Sequence, residues 1–587
     1  MIALISVTRA GRAAAERLEK AWPDGRRYEG PAAEALPRAF AECDAIVAFL
    51  AVGATVRLIA PLLTAKTGDP AVVCVDEALR YAIPVLGAHQ AGGNELARRA
   101  AATLGAEPVV TTASDAAGTA GLDTFGADLG FTVEPGSDLA AVGAAILSGD
   151  RVTFTSDQEW PLPALPSNVV RTDRPEPGIP AVVVTDQKIN TPAERLIIYR
   201  PPSLRVGVGA SKGAPAAEIG RLIDDVLGEL GVSYRAVRHI HTVEAKADEP
   251  GLLAAAAERD WSVVAFPASR LAAVPVPHPS EVVRRAVGTP SVAEAAALLA
   301  ADAGSPGPGA APPGPGAAPA AVLIAAKRAS AHATVAVARA RPRGRLAVIG
   351  IGPGARDLLT PRAVTELRRA AVVIGLDAYV EQVADLLRPG TRVLASGLGA
   401  ERERAAEAVA QARAGRAVAL IGSGDAGVYA MGSPALDLAG DDIDVTVVPG
   451  VTAALAVAAV LGAPLGHDHV MISLSDLHTA WPVIERRIAA AAAGDLVACF
   501  YNPASARRGW QLRRAMELLA ARRPPGTPVG WVRDASRAGQ AAALSTLAEF
   551  DPAVVDMHTL VVVGSSRTRV RAGRMVTPRD YSWAETR

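Results

Sequence analysis

The chain has 587 residues, half of them apolar and a fifth charged, with a formal net charge of zero. That length exceeds one hydrophobic core, so about two to four domains are expected. The composition excludes a disordered chain, and the charge balance excludes a global basic field for holding nucleic acid.

Cys43, Cys74 and Cys499 are widely spaced and form no CxxC pair. No zinc ribbon, iron–sulfur cluster or disulfide framework is expected, and no metal site. No basic leader precedes the first apolar run, and no stretch nears the roughly 20 apolar residues of a membrane span. A cytoplasmic protein without a membrane partner is expected.

Short β-branched runs alternate with Ala/Leu/Arg helical patterns throughout, which predicts α/β domains with largely parallel sheets. Residues 1–7 read as a strand and 12–22 as a helix. Ala45–Leu50 and Ala71–Val75 read as buried strands, Asn94–Leu104 as a helix with Asn94 as its N-cap, and Val109–Thr112 as a strand. The Pro-rich stretch 156–180 is expected to be irregular and to divide the first unit from the next. A new unit opens with a strand at Arg205–Val208, the loop Gly209-Ala210-Ser211-Lys212-Gly213, and a helix from Pro215 to Leu230. Gly304–Ala321, nearly all Gly, Pro and Ala, cannot pack a core. It reads as an insertion, because Val322–Ala326 and Thr334–Ala338 beyond it still need a partner sheet. The junction is placed at Arg341-Pro342-Arg343-Gly344.

Beyond that junction, the strand Leu346–Ile349 runs into Gly350-Ile351-Gly352-Pro353-Gly354-Ala355. This matches G-x-G-x-x-A, but a dinucleotide-binding helix begins inside that motif. Here the next helix start is Thr360-Pro361, an N-cap with Pro at the first helical position. Nicotinamide binding is therefore disfavoured. A second glycine cluster, Gly422-Ser423-Gly424-Asp425-Ala426-Gly427-Val428-Tyr429, comes after the strand Val418–Ile421. A third, Pro449-Gly450-Val451-Thr452-Ala453-Ala454, comes after Val445–Val448. Any one alone marks no more than a tight turn. Together they stand at strand C-termini, where open α/β sheets bind ligand.

These three loops resemble the tetrapyrrole methylase family, over essentially all of residues 345–583. Ile472–His478, Tyr501-Asn502-Pro503-Ala504-Ser505 and Val561–Ser566 resemble its precorrin-3B C-17 branch. Ala426 and Ala430 depart from the family's usual Pro and Gly. The resemblance implies two α/β subdomains, about 345–466 and 469–583, a homodimer, and S-adenosyl-L-methionine as cofactor. It implies that Pro353, Ser423, Gly424, Asp425, Val428, Thr452 and Ala453 line the cofactor pocket, with Asn502 near the same cleft. Methyl transfer needs placement more than a strong base. The accompanying ring contraction needs proton shuttling, for which Asp476 and His478 are candidates; a solvated His478 at a helix start is the plain alternative.

The N-terminal half carries no G-x-S-x-G, HExxH or P-loop. Its conspicuous stretch is Gly87-Ala88-His89-Gln90-Ala91-Gly92-Gly93-Asn94, a histidine among glycines between a strand and a helix. With Gly53–Arg57, Asp69–Val72, Thr111–Asp115, Gly207–Gly213, Lys246–Glu249, Val287–Ala295 and Lys327 with Thr334–Ala338, it resembles cobalt-precorrin-5A hydrolase across residues 1–340. Ala88 and Ala210-Ser211 depart from the commoner pattern. The resemblance implies an α/β domain over 1–130, a middle region over 131–203 and a second α/β domain over 204–340. The implied reaction opens a δ-lactone and releases acetaldehyde, which calls for a base and oxyanion donors. His89 is the candidate base, and Lys246 and Glu249 a candidate charge pair; for Lys246 a surface ion pair is the alternative. His239 and His241 are expected at an exposed strand end.

Two readings stay open for this half: a hydrolase, or a non-catalytic corrinoid-binding module. For the whole chain the alternative is a C-11 or C-20 precorrin methyltransferase fused to such a module. The expected partners are precorrin or cobalt-precorrin substrates and other cobalamin-pathway methyltransferases.

Overall fold

The computed structural model describes residues 1–64, 68–88, 91–111, 121–122, 125–189, 195–299, 321–504 and 509–579. The chain divides into two compact units, meeting between Arg341 and Pro342, with the short segment Glu159–Ala164 counted with the second.

Among the described residues, the first unit holds three sheets. In the first, the order is Gly25–Tyr28, Ile2–Ser6, Ala45–Phe49, Ala71–Val75, Tyr81–Leu86 and Glu107–Pro108. Its first four strands are parallel, and three of them, Ile2–Ser6, Ala45–Phe49 and Ala71–Val75, are the buried apolar runs of a sheet covered on both faces. Helices Arg9–Ala21 and Gly93–Leu104 pack on one face through Leu18, Ala97 and Ala100, and Ala32–Glu42 packs on the other through Leu36. The first helix starts earlier than expected because Thr8 caps it, its hydroxyl accepting from the Gly11 N–H at 3.0 Å. Asn94 is not an N-cap: Gly92 takes that position at φ +76°, and Asn94 is buried inside the helix. The strand expected at Val109–Thr112 is instead Glu107–Pro108, paired to Tyr81–Ala82.

The second sheet runs Thr132–Val133, Leu196–Arg200, Ala181–Val184, Val152–Ser156 and Val169–Arg171. The Pro-rich stretch therefore divides nothing. It connects neighbouring strands of one sheet, and Val169–Arg171 inside it is itself a strand, because Phe154 and its neighbours offer it an open edge.

The third sheet runs Ser262–Phe266, Val237–Val243, Leu204–Ala210, Ala333–Ala340 and Ala321–Ala329. The last two form an antiparallel hairpin, and Ala333–Ala340 lies antiparallel on Leu204–Ala210. These are the strands expected at Val322–Ala326 and Thr334–Ala338, and their partner sheet is the one that opens at Leu204. The insertion 304–321, apart from Ala321, lies outside the described residues. His239 and His241 sit within Val237–Val243, not at an exposed end; His239 is half-buried, and His241 is buried against Phe266 in the part of the strand that is covered on both faces.

The second unit begins with a five-stranded, fully parallel sheet ordered Arg392–Ser396, Val372–Leu376, Ala417–Gly422, Arg345–Gly350 and Asp444–Val448. Apolar clusters cover both faces. A second, mixed sheet comes next, ordered His469–Ser473, Val497–Tyr501, Thr559–Val563, Pro528–Arg533 and Ala541–Thr546. Helix Ala453–Leu461 joins them, burying Val457 and Leu461 against Val532 and Val562.

Candidate functional site

In the second unit's parallel sheet, Arg345–Gly350 lies between Ala417–Gly422 and Asp444–Val448. All three strands point the same way, so the three glycine loops leave the sheet side by side. The helix after the first loop starts at Pro361 with Thr360 as N-cap, its hydroxyl accepting from the Ala363 N–H at 3.2 Å. The first loop is therefore extended, with one 3₁₀ turn at Arg356–Leu358.

Backbone groups knit the loops together. The Gly352 N–H donates to the Gly424 carbonyl at 3.0 Å, and the Gly424 N–H returns to the Gly352 carbonyl at 2.8 Å. Gly352 and Gly424 hold φ of +76° and +69°. A Cβ on Gly450 would stand 2.1 Å from the Gly424 carbonyl oxygen and 2.6 Å from that of Gly350, so only glycine permits this approach. Asp425 braces the second and third loops: one carboxylate oxygen accepts from the Gly427 N–H at 2.8 Å, the other from the Gly450 N–H at 3.0 Å.

The second sheet presents its strand ends to these loops. The Tyr501 hydroxyl pairs with Thr452 Oγ1 at 2.6 Å and accepts from the Ala454 N–H at 2.9 Å. Burial pushes the Tyr501 hydroxyl above the usual phenol range, so it stays neutral. Arg537 reaches from the other side, donating to the Pro353 carbonyl at 2.7 Å and to Ser423 Oγ at 3.3 Å. Asn502 is exposed beside Tyr501 and donates to Ser473 Oγ at 3.0 Å. Tyr429, Asn502, Asp534 and Ser536 all hold positive φ without being glycine, on the loops that carry these contacts. Such strain gathers at ligand sites.

The structure thus brings Pro353, Ser423, Gly424, Asp425, Thr452 and Ala453 together, with Asn502 next to Tyr501 beside them; Val428 is half-buried on the Asp425 loop. Arg537 and Tyr501 belong to the same constellation, and sequence reasoning does not reach either of their roles. Tyr501 opens the stretch Tyr501–Ser505 that marks the C-17 branch, and Arg537 closes the turn-like Asp534-Ala535-Ser536 after a strand end, the only local signal it carries. Asp476 and His478 are exposed on the loop before helix Trp481–Ala493, and Asp476 accepts from Gln511 at 3.4 Å.

In the first unit, Lys246 closes a 3₁₀ turn and Glu249 caps helix Pro250–Ala257. Their side chains pair at 3.3 Å, and Glu249 also accepts from the Gly213 N–H at 2.6 Å. That N–H, followed by the Lys246 charge, holds the Glu249 carboxyl below its usual range. The pair thus ties the Gly209–Gly213 loop to the next strand end. His89 lies outside the described residues. Among the described residues no group of His, Cys, Asp or Glu is placed to hold a metal ion, and no helix is long and apolar enough to cross a membrane.

Residues 345–551 match the family of Tetrapyrrole (Corrin/Porphyrin) Methylases. Residues 34–115, 120–201 and 204–338 match Cobalamin synthesis G N-terminal, Cobalamin biosynthesis central region and Cobalamin synthesis G C-terminus. A probable cobalt-factor III C(17)-methyltransferase of Salmonella typhimurium is 46% identical over 240 residues, 40% of this chain and 99% of that protein. A cobalt-precorrin-5A hydrolase of Priestia megaterium is 33% identical over 286 residues, 46% of this chain and 76% of that protein. The cobalamin biosynthesis protein CobIJ of Mycobacterium tuberculosis is 44% identical over 253 residues; the chain spans 49% of its length. The glycine loops of the second unit and the strand ends of the first are thus those of two families joined in one polypeptide: the chain belongs to the tetrapyrrole methylases from Arg345 onward and to the cobalamin synthesis G proteins before it.

Proposed function

We propose that the chain is a bifunctional enzyme of cobalamin biosynthesis. Its second unit methylates C-17 of precorrin-3B or the cobalt form, with ring contraction. Its first unit opens the lactone of cobalt-precorrin-5A and releases acetaldehyde. The observation that carries this is the near-complete span of a C(17)-methyltransferase at 46% identity, joined to most of a lactone hydrolase at 33%.

The second unit's residues fit S-adenosyl-L-methionine. Three loops meet without side chains between them at Gly350, Gly424 and Gly450, and small Ala426 and Ala453 stand beside them. When bound, the cofactor supplies a sulfonium methyl group. Pro353, Ser423, Gly424, Asp425, Val428, Thr452 and Ala453 would hold it, with Asn502 at the rim. Asp425 and Tyr501 keep the loops in register; orientation of donor and acceptor carbon supplies most of the catalysis. Asp476 and His478, being exposed, can exchange protons with a bound macrocycle.

In the first unit His89 is proposed as a base of the lactone-opening and acetaldehyde-releasing sequence, and Lys246 and Glu249 as a charge pair for it that also supports the neighbouring glycine loop. The domain limits proposed are 1–130, 131–203, 204–340 and 345–583, in a cytoplasmic homodimer formed through the methylase. Mass spectrometry of products from precorrin-3B, cobalt-factor III and cobalt-precorrin-5A tests the whole reading. A C-11 or C-20 methylated product, or no lactone opening, would overturn the corresponding half. His89→Ala is expected to slow lactone opening, and with it acetaldehyde release, by about 100-fold or more and leave methyl transfer unchanged; an unaltered rate removes His89 from the site.

A further inference from the structure

Glu294 stands in the first turn of helix Ala293–Leu299 and is wholly buried. The helix lies close on the third sheet because Gly207 admits it; a Cβ there would sit 1.9 Å from the Ala293 carbonyl oxygen. Removing a carboxylate from water costs several kcal/mol unless donors replace the solvent. Three do so. One oxygen accepts from His278 Nδ1 at 2.8 Å and from the Lys327 N–H at 3.0 Å, the other from the His278 N–H at 3.2 Å. Burial pushes the Glu294 carboxyl up, but these donors outweigh it and hold it below its ordinary range.

The consequence falls on His278. A carboxylate at Nδ1 fixes the proton there and leaves the lone pair on Nε2. The His278 side chain is 57% exposed, and Nε2 makes no hydrogen bond among the described residues. The ring is also held from behind: His278 lies between Pro277 and Pro279, which restrict its backbone, and Lys327 Nζ donates to its carbonyl at 3.3 Å. A histidine serving only as a solvated surface residue needs no buried counter-charge. An imidazole oriented by a buried carboxylate and open at Nε2 is the arrangement of a general base. The Lys246–Glu249 pair offers nothing comparable, since each group is the other's partner.

We propose that His278 is the base that activates water for lactone opening, and that Glu294 is the positioning residue that fixes its tautomer and orientation. This rests on the hydrolase reading of the first unit. The water proton passes to Nε2 while its oxygen adds to the lactone carbonyl carbon. The ester C–O bond then breaks, and the leaving alkoxide takes the proton back from Nε2. One water is consumed, a carboxyl and a hydroxyl are produced, and nothing is oxidised or reduced. Departure of the two-carbon fragment is a separate step: the freed hydroxyl loses its proton, the bond from its carbon to the macrocycle breaks, and the macrocycle takes up that electron pair and a proton.

The test uses the full chain with cobalt-precorrin-5A, following consumption of the substrate and release of acetaldehyde, with methyl transfer to its own substrate measured alongside and circular dichroism and the urea midpoint of each variant as the control for folding. His278→Ala is expected to slow lactone opening by about 100-fold or more, with partial restoration by added imidazole. Glu294→Gln is expected to lower the rate about as far, with the substrate KM little changed. If the wild-type chain opens no lactone while transferring methyl groups, the hydrolase reading fails and this assignment with it. If the wild type is active and His278→Ala stays within about threefold of it, the dyad alone is refuted. Slowing that imidazole does not relieve would also refute it, showing a structural role. Should Glu294→Gln misfold, the imidazole result on His278→Ala decides.

Discussion

Asp425→Ala removes the acceptor for the Gly427 and Gly450 N–H groups, at 2.8 and 3.0 Å. Hydrogen bonds to a charged acceptor are worth about 1.5–3 kcal/mol each, and the half-buried setting of Asp425 favours the lower end. The brace between the second and third loops is therefore worth about 3 kcal/mol in all. At about 1.4 kcal/mol per tenfold in affinity, full coupling to binding would weaken the cofactor by about 100-fold. Part of the loss will appear as loop disorder in the free protein, so about 10- to 100-fold is expected. The apolar clusters on both faces of the sheet do not include Asp425, and the fold should survive. Titration calorimetry with S-adenosylhomocysteine measures the affinity, and circular dichroism checks the fold. Asp425→Asn, which keeps one acceptor oxygen, should fall between. Affinity within about threefold of wild type for Asp425→Ala would refute the coupling between this brace and the pocket.

Gly450→Ala would drive a Cβ to 2.1 Å from the Gly424 carbonyl oxygen, so the loops must part; a loss of about 3 kcal/mol is expected, and an unchanged melting temperature would contradict the close approach. Burial, aided by the charge of Arg205, lowers His241 to about 3, and burial lowers His239 too. An unfolded histidine takes its proton near pH 6.5, so this stability is complete above that pH and is lost as pH falls toward the folded pKa, at about 1.4 kcal/mol per pH unit from His241. The urea midpoint of the first unit should drop between pH 7 and pH 5 less in His241→Leu than in wild type, and parallel curves would refute it. Expressed as residues 1–341 and 342–587, each unit should remain soluble and keep its own activity, since each has its own apolar clusters; aggregation of either half would show that they fold together.

The parts of this molecule that are legible in the sequence are those where one residue type satisfies one local constraint. Gly350 and Gly450 mark backbones that come too close for a Cβ, and Gly424 marks a left-handed turn at φ +69°. Thr360-Pro361 announces a helix start, and the delay it imposes separates the first loop from a dinucleotide-binding turn. Asn94 shows the limit of such local reading, because Gly92 in the left-handed region caps better and leaves Asn94 to be buried. Pairing across distance stays hidden. Tyr501 meets Thr452 and Ala454 only because helix Ala453–Leu461 carries one sheet onto the other. Arg537 meets Pro353 across 184 residues, and no periodicity encodes that. Glu294 reads as an ordinary first-turn carboxylate, and His278 as a histidine between prolines. Their meaning appears once the Gly207 gap lets the helix down onto the sheet and Lys327 arrives from the far hairpin. Glycines thus mark where backbones must meet in both units, but the chemistry belongs to polar side chains whose partners the topology alone brings within reach.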